Sequence, residues 1–106
     1  MTKTITRDEL KEKLDRGDAF HLIETLAPGE FERVHIKGAI NIQFNRIGTE
    51  ARRRFNKNDE LVLYCSDEDC RASGIAAEKL EGMGFTNVRV YTRGKKDWQD
   101  AQLPVE

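Results

Sequence analysis

Two cysteines, Cys65 and Cys70, are the residues of this chain whose type and placement could do covalent chemistry. They lie in the stretch Tyr64-Cys65-Ser66-Asp67-Glu68-Asp69-Cys70-Arg71-Ala72-Ser73. The apolar run Leu61-Val62-Leu63 precedes it, and a helical pattern of Ala72, Ile75, Ala76, Leu80 and Met83 follows. A strand thus delivers Cys65 into a short loop that ends at a helix N-terminus. First-turn amides of such a helix lack intrahelical partners and favour an anion. The placement predicts a lowered pKa at Cys65 and a populated thiolate, the nucleophilic form. The plain alternative for Cys65 is a buried core cysteine. Cys70 is a candidate resolving thiol, able to attack a sulfur species on Cys65 and close a disulfide. Its plain alternative is a half-buried residue at the first helical turn.

The rest of the loop modifies this chemistry. Asp67, Glu68 and Asp69 raise the pKa of a nearby thiolate and repel an anionic substrate unless they point outward. Ser66, Ala72 and Ser73 offer amides, and two of them hydroxyls, to whatever binds there. Arg71 is the only cation of the segment, and it either turns inward or faces solvent. Cys65 and Arg71 also spell the C-x5-R pattern of cysteine-dependent phosphatases, which need a thiolate, a ring of amides and a bidentate arginine. A loop with three acids and no glycine suits a dianionic phosphate poorly.

The elements that must position these residues follow in order. Ile5 reads as a short first strand, and Thr6-Arg7-Asp8-Glu9 has the capping-box form. Leu10 and Leu14 share a helical face that Gly17 stops. Residues 19–23 read as a strand ending at Glu24-Thr25, Leu26 to Gly29 as a turn, and Glu30 to Arg33 as a short helix. A brief strand is expected at Ala39 to Asn41, a helix over 47–55, and the central strand at Leu61 to Tyr64. The helix after the loop ends at Gly82 or Gly84, Val88 to Tyr91 is the last strand, and Lys95 to Asp100 form a terminal helical turn anchored by Trp98. This alternation predicts a three-layer α/β domain with its site at the carboxyl ends of the strands.

The totals narrow the classes. At 106 residues the chain makes one domain, 1–106. A net charge of -1 leaves no electrostatic footprint for nucleic acid or anionic lipid. No run approaches the roughly 18 apolar residues that cross a membrane. Met1-Thr2-Lys3-Thr4 leads directly into a helix-start signal, so no secretory leader is expected and a cytoplasmic location is the default. Two cysteines are too few for a disulfide scaffold and too widely spaced for a zinc knuckle, so no metal and no cofactor are expected. His35 is read chiefly as a backbone-bonded structural histidine near Gly38. Arg52-Arg53-Arg54 and Lys95-Lys96 are read as solvated faces, with one lysine near Gly94 a candidate for the pocket rim.

Several segments together resemble the rhodanese-homology family, in its single-domain form. They are Leu22-Ile23-Glu24, His35-Ile36-Lys37-Gly38-Ala39-Ile40-Asn41, Leu63-Tyr64-Cys65, Ser73 with Ala76-Ala77 and Leu80, Gly84-Phe85-Thr86-Asn87-Val88, and Gly94 with Trp98. The resemblance implies a parallel sheet of about five strands with helices on both sides. It also implies that Cys65 is the catalytic cysteine, accepting sulfane sulfur as a persulfide from thiosulfate or a persulfide donor. The acceptor would be a thiol or cyanide, and the partners a small sulfur donor, a protein persulfide or a thioredoxin-like reductant. Glu24, His35, Arg93 and Gly94 fall at positions that support the family's site. The loop here is longer than usual, with Ala72 at the arginine position and Arg71 one place off. The family's acidic-x-arginine after the second strand is Glu24-Thr25-Leu26, and its paired glycines are reduced to Arg93-Gly94. These departures keep a second class open, a non-catalytic rhodanese-like binding or redox-sensing module.

Overall fold

The computed structural model describes residues 2–106; Met1, the start of the leader reading, lies outside them. Five strands, β1 (Lys3–Thr4), β2 (His21–Glu24), β3 (Ile40–Asn41), β4 (Leu61–Tyr64) and β5 (Val88–Tyr91), form one sheet in the order β1-β5-β4-β2-β3. All pairs are parallel. The helices are α1 (Arg7–Arg16), α2 (Pro28–Arg33), α3 (Ile47–Arg54), α4 (Ala72–Gly82) and α5 (Gly94–Asp100), with a 3-10 turn at Phe44–Arg46.

Side chains alternate across a pleated strand, so β4 feeds both faces of the sheet. Leu61 and Leu63 join Ile23, Val88 and Val90 under Ile47 and Ala51 of α3 and Ala76, Ala77 and Leu80 of α4. Val62 and Tyr64 join Leu22 and Tyr91 against Leu10 of α1 and Trp98 of α5. Helices cover both faces, which explains why β4 is apolar throughout rather than alternating. The expected three-layer α/β architecture is the one observed.

Local signals account for the outer elements. The Thr6 hydroxyl accepts from the Glu9 N–H (3.1 Å) and the Glu9 carboxylate accepts from the Thr6 N–H (2.9 Å). This reciprocal cap contributes about 1 kcal/mol. Gly17 ends α1 in the left-handed region, at φ 71°. Two expectations are corrected here. The turn read at Leu26 to Gly29 gives way at Pro28, whose fixed φ starts α2. Ile75, grouped with the buried face of α4, is 53% exposed. The C-terminal tail is tied down by an antiparallel bridge between Ile36 and Val105. No helix among the described residues is long and apolar enough to cross a membrane.

Candidate active site

Cys65 leaves the C-terminal end of β4, the middle strand of the sheet, and residues 65–71 turn back into α4. The loop builds itself around Asp67. Its carbonyl accepts from the Cys70 N–H (3.1 Å) and its carboxylate accepts from the Asp69 N–H (3.0 Å). That carboxylate is therefore occupied by the turn, and Glu68 and Asp69 are exposed. The three acids are features of the turn and its solvent side.

No side chain caps α4; Arg71 precedes it, exposed, with only its carbonyl engaged by the Ile75 N–H. The cysteine sulfurs take the place of a cap. The Ser73 N–H and hydroxyl face Cys65, its oxygen 3.4 Å from the sulfur. The N–H groups of Ala72 and Ser66, with the Ser66 hydroxyl, face the Cys70 sulfur. The Cys65 thiol lies between the Cys70 carbonyl (3.5 Å) and the Cys70 sulfur.

This division overturns the expected titration of Cys65. The residue is only 2% exposed, and burial, followed by the adjoining Cys70 sulfur, pushes its pKa above the ordinary thiol value; the Ser73 contacts offset only part. At Cys70 burial also pushes upward, but it is outweighed by the Cys65 thiol, the Ala72 and Ser66 amides and the Ser66 hydroxyl. Its pKa is lowered. The loop amides were expected to converge on one sulfur; they are shared between two, and the anion of the pair resides on Cys70.

Behind the loop, Glu24 is fully buried at the end of β2. It accepts from the Tyr64 hydroxyl (2.8 Å) and from the Lys95 ammonium (3.0 Å). Lys95 also donates to the carbonyls of Val34 (2.7 Å) and Glu30 (3.1 Å), which uses all three of its N–H donors. The Tyr64 hydroxyl in turn accepts from the Ile36 N–H (3.1 Å). Burial first, then the Glu24 carboxylate, holds its pKa far above the usual phenol range, so it remains a donor. Buried charges persist only when paired and hydrogen-bonded. The reading of Lys95 as a solvated residue is thus corrected: it is 4% exposed because β2 places Glu24 beneath it. Lys96 remains at the surface, paired with Asp100.

The same segment grips the catalytic loop through its backbone. The Lys95 N–H donates to the Cys65 carbonyl and the Lys96 N–H to the Ser66 carbonyl, both at 2.8 Å. Gly94 lies against the loop with φ 70°, where a Cβ would stand 2.7 Å from the Cys65 oxygen and 2.9 Å from the Asp67 nitrogen. Glycine is needed here for conformation and for space. Arg93 turns outward to Asp97 (3.3 Å). His35 stacks on Phe31 (3.7 Å between rings) and bonds the Phe31 carbonyl (2.8 Å), joining α2 to the tail at Glu106. Asn41 donates to the carbonyls of Glu24 and Leu26, fixing the chain as it leaves β2. Tyr64 and Lys95 were missed as parts of this network. The one sequence signal was an acid at the end of one strand and a tyrosine at the end of the next, which the register pairs directly.

Comparisons with known proteins agree with this architecture. The family model described as the rhodanese-like domain matches residues 6–101. The thiosulfate sulfurtransferase PspE of Escherichia coli is 38% identical over 74 residues, spanning 66% of this chain and 66% of PspE. The uncharacterised protein YqhL of Bacillus subtilis is 30% identical over 91% of this chain and 71% of its own length. The adenylyltransferase and sulfurtransferase UBA4 of Candida albicans matches at 32% identity, but this chain spans only 20% of it. Among solved structures, BH2092 of Bacillus halodurans superposes with a TM-score of 0.91 at 23% identity, over 99% of this chain and 77% of that one. The human single-domain sulfurtransferase TSTD1 gives 0.81 at 20% identity, over 94% and 97%. These structures share the fold, and with the family model over nearly the whole sequence, the chain belongs to the rhodanese-like domain family.

Proposed function

We propose that this domain is a sulfurtransferase that carries sulfane sulfur as a persulfide on Cys65, taking it from thiosulfate or a persulfide donor and giving it to a thiol or cyanide. The observation that carries the reading is the position of Cys65. It sits at the carboxyl end of the central strand, with its sulfur facing the first turn of α4 through Ser73. Membership of the family and the likeness to PspE, named a thiosulfate sulfurtransferase, support it.

The thiolate of Cys65 attacks the outer sulfur of the donor; sulfite, or the donor thiolate, departs with the bonding pair. The Ser73 amide and hydroxyl then stabilise charge on the new persulfide. Arg71 and Arg93 are both exposed, so a large anion finds no buried guanidinium, and the donor is best recognised by its terminal sulfur. The same exposure of Arg71 weighs against phosphoryl transfer, which needs the arginine fork over the phosphate. The test is thiocyanate formation from thiosulfate and cyanide. Wild-type protein should turn over, and Cys65→Ser should fall to the uncatalysed rate. An inactive wild type that binds its partners as well as Cys65→Ser does would instead establish the non-catalytic binding module.

A further inference from the structure

The loop contains a feature that persulfide carriage on Cys65 does not use: the amides of Ser66 and Ala72 and the Ser66 hydroxyl are spent on a second sulfur. Cys70 is half-buried in that cradle, reduced, and against the Cys65 thiol. An amide cradle for a sulfur matters chemically when that sulfur is an anion. We infer that Cys70 is the base and the resolving nucleophile of the site, so that the domain releases transferred sulfur as hydrosulfide and finishes as a Cys65–Cys70 disulfide that a dithiol reductant resets. This rests on the Cys65 reading above and specifies what becomes of the sulfur.

The steps balance on the two sulfurs. The Cys70 thiolate takes the Cys65 proton, leaving a Cys65 thiolate and a Cys70 thiol. Cys65 attacks the sulfane sulfur of thiosulfate; its S–S bond forms, the donor's sulfur–sulfur bond breaks, and sulfite leaves with the electron pair. The persulfide anion recovers the proton from Cys70. The regenerated Cys70 thiolate attacks the inner sulfur, Cys65 Sγ, and the outer sulfur departs as hydrosulfide. The sulfane sulfur is reduced to sulfide while the two cysteines are oxidised to a disulfide. A dithiol then attacks that disulfide, becomes oxidised itself, and restores both cysteines. The position of each group serves this order. Cys70 is the more acidic thiol, and the Cys65 thiol lies against its sulfur, so proton transfer and later attack use one contact.

The experiment uses reduced full-length protein, freed of reductant and kept anaerobic, mixed with thiosulfate and no acceptor. Sulfite, sulfide and intact mass are followed. Wild-type protein should release sulfite and sulfide in equal amounts, one of each per chain, and lose the mass of two hydrogens. Cys70→Ser and Cys70→Ala, with time allowed for slower loss of the Cys65 proton, should release sulfite but no sulfide. They should keep a mass gain of one sulfur, about 32 Da. Wild type that holds the extra sulfur and frees no sulfide overturns the inference while leaving Cys65 persulfide carriage standing. Equal sulfide release from wild type and both variants also overturns it. Absence of sulfite from every protein removes the Cys65 reading and this one together. Because the wild-type products decide the matter, a variant that fails to fold does not rescue it.

Discussion

Gly94→Ala tests whether the catalytic loop is held in place by the start of α5. The substitution meets two obstacles. Its backbone stands at φ 70°, where an L side chain costs about 1–2 kcal/mol. Its Cβ would also stand 2.7 Å from the Cys65 oxygen, 2.9 Å from the Asp67 nitrogen and 2.9 Å from the Ser66 carbonyl carbon. All three are backbone atoms of the loop, so no flexible side chain can swing away; overpacking of this kind costs about 1–3 kcal/mol. The sum, about 2–5 kcal/mol, is a large part of the roughly 5–15 kcal/mol that stabilises a domain. Gly17→Ala is the control, since φ is 71° there but nothing lies within 4 Å of the added carbon. Urea unfolding should place Gly94→Ala below Gly17→Ala by about the overpacking cost, 1–3 kcal/mol. Thiosulfate turnover should fall in Gly94→Ala, since the displaced atoms flank the nucleophile, and remain at wild-type level in Gly17→Ala. Equal stability of the two variants, or full activity in Gly94→Ala, would refute the reasoning.

Other outcomes follow from the same contacts. Lys95→Met leaves the fully buried Glu24 without its cation and should destabilise the fold by about 3–5 kcal/mol by denaturant unfolding, with Glu24→Gln/Lys95→Met recovering much of the loss. Tyr64→Phe leaves the Ile36 N–H and one Glu24 oxygen without a partner, and the same measurement should show a loss of about 1–3 kcal/mol. Alkylation by iodoacetamide, mapped by peptide mass, should begin at lower pH for Cys70 than for Cys65. The lowered pKa populates the Cys70 thiolate first as pH rises, while burial delays Cys65; the reverse order would contradict the assignment of the anion. Ser73→Ala removes a group that favours the Cys65 anion and should move the Cys65 alkylation profile to higher pH.

What could be read from the sequence was what is local or periodic. The Thr6–Glu9 cap, the Gly17 stop and the apolar run into Cys65 each depend on neighbours a few residues away, and each stands in the structure as expected. The parallel sheet followed from strands alternating with helices. Lys95 was misread because nothing around it in sequence is apolar; its burial is imposed from Glu24, 71 positions away, and from two carbonyls of α2 and its end. Val105 looked like a loose tail because its partner, Ile36, lies in a segment with no strand pattern of its own. The loop was legible as a site, yet the division of its amides between two sulfurs was not. That division depends on the turn Asp67 makes with Asp69 and Cys70, which carries both sulfurs to the start of α4.

The most direct measurement of the central claim is a single turnover with thiosulfate, followed by sulfite release, in wild type, Cys70→Ser and Cys65→Ser. Sulfite should appear in one equivalent from the first two proteins and not from the third. Sulfite from Cys65→Ser at the wild-type rate and amount would contradict the account, because the sulfur would then be accepted elsewhere.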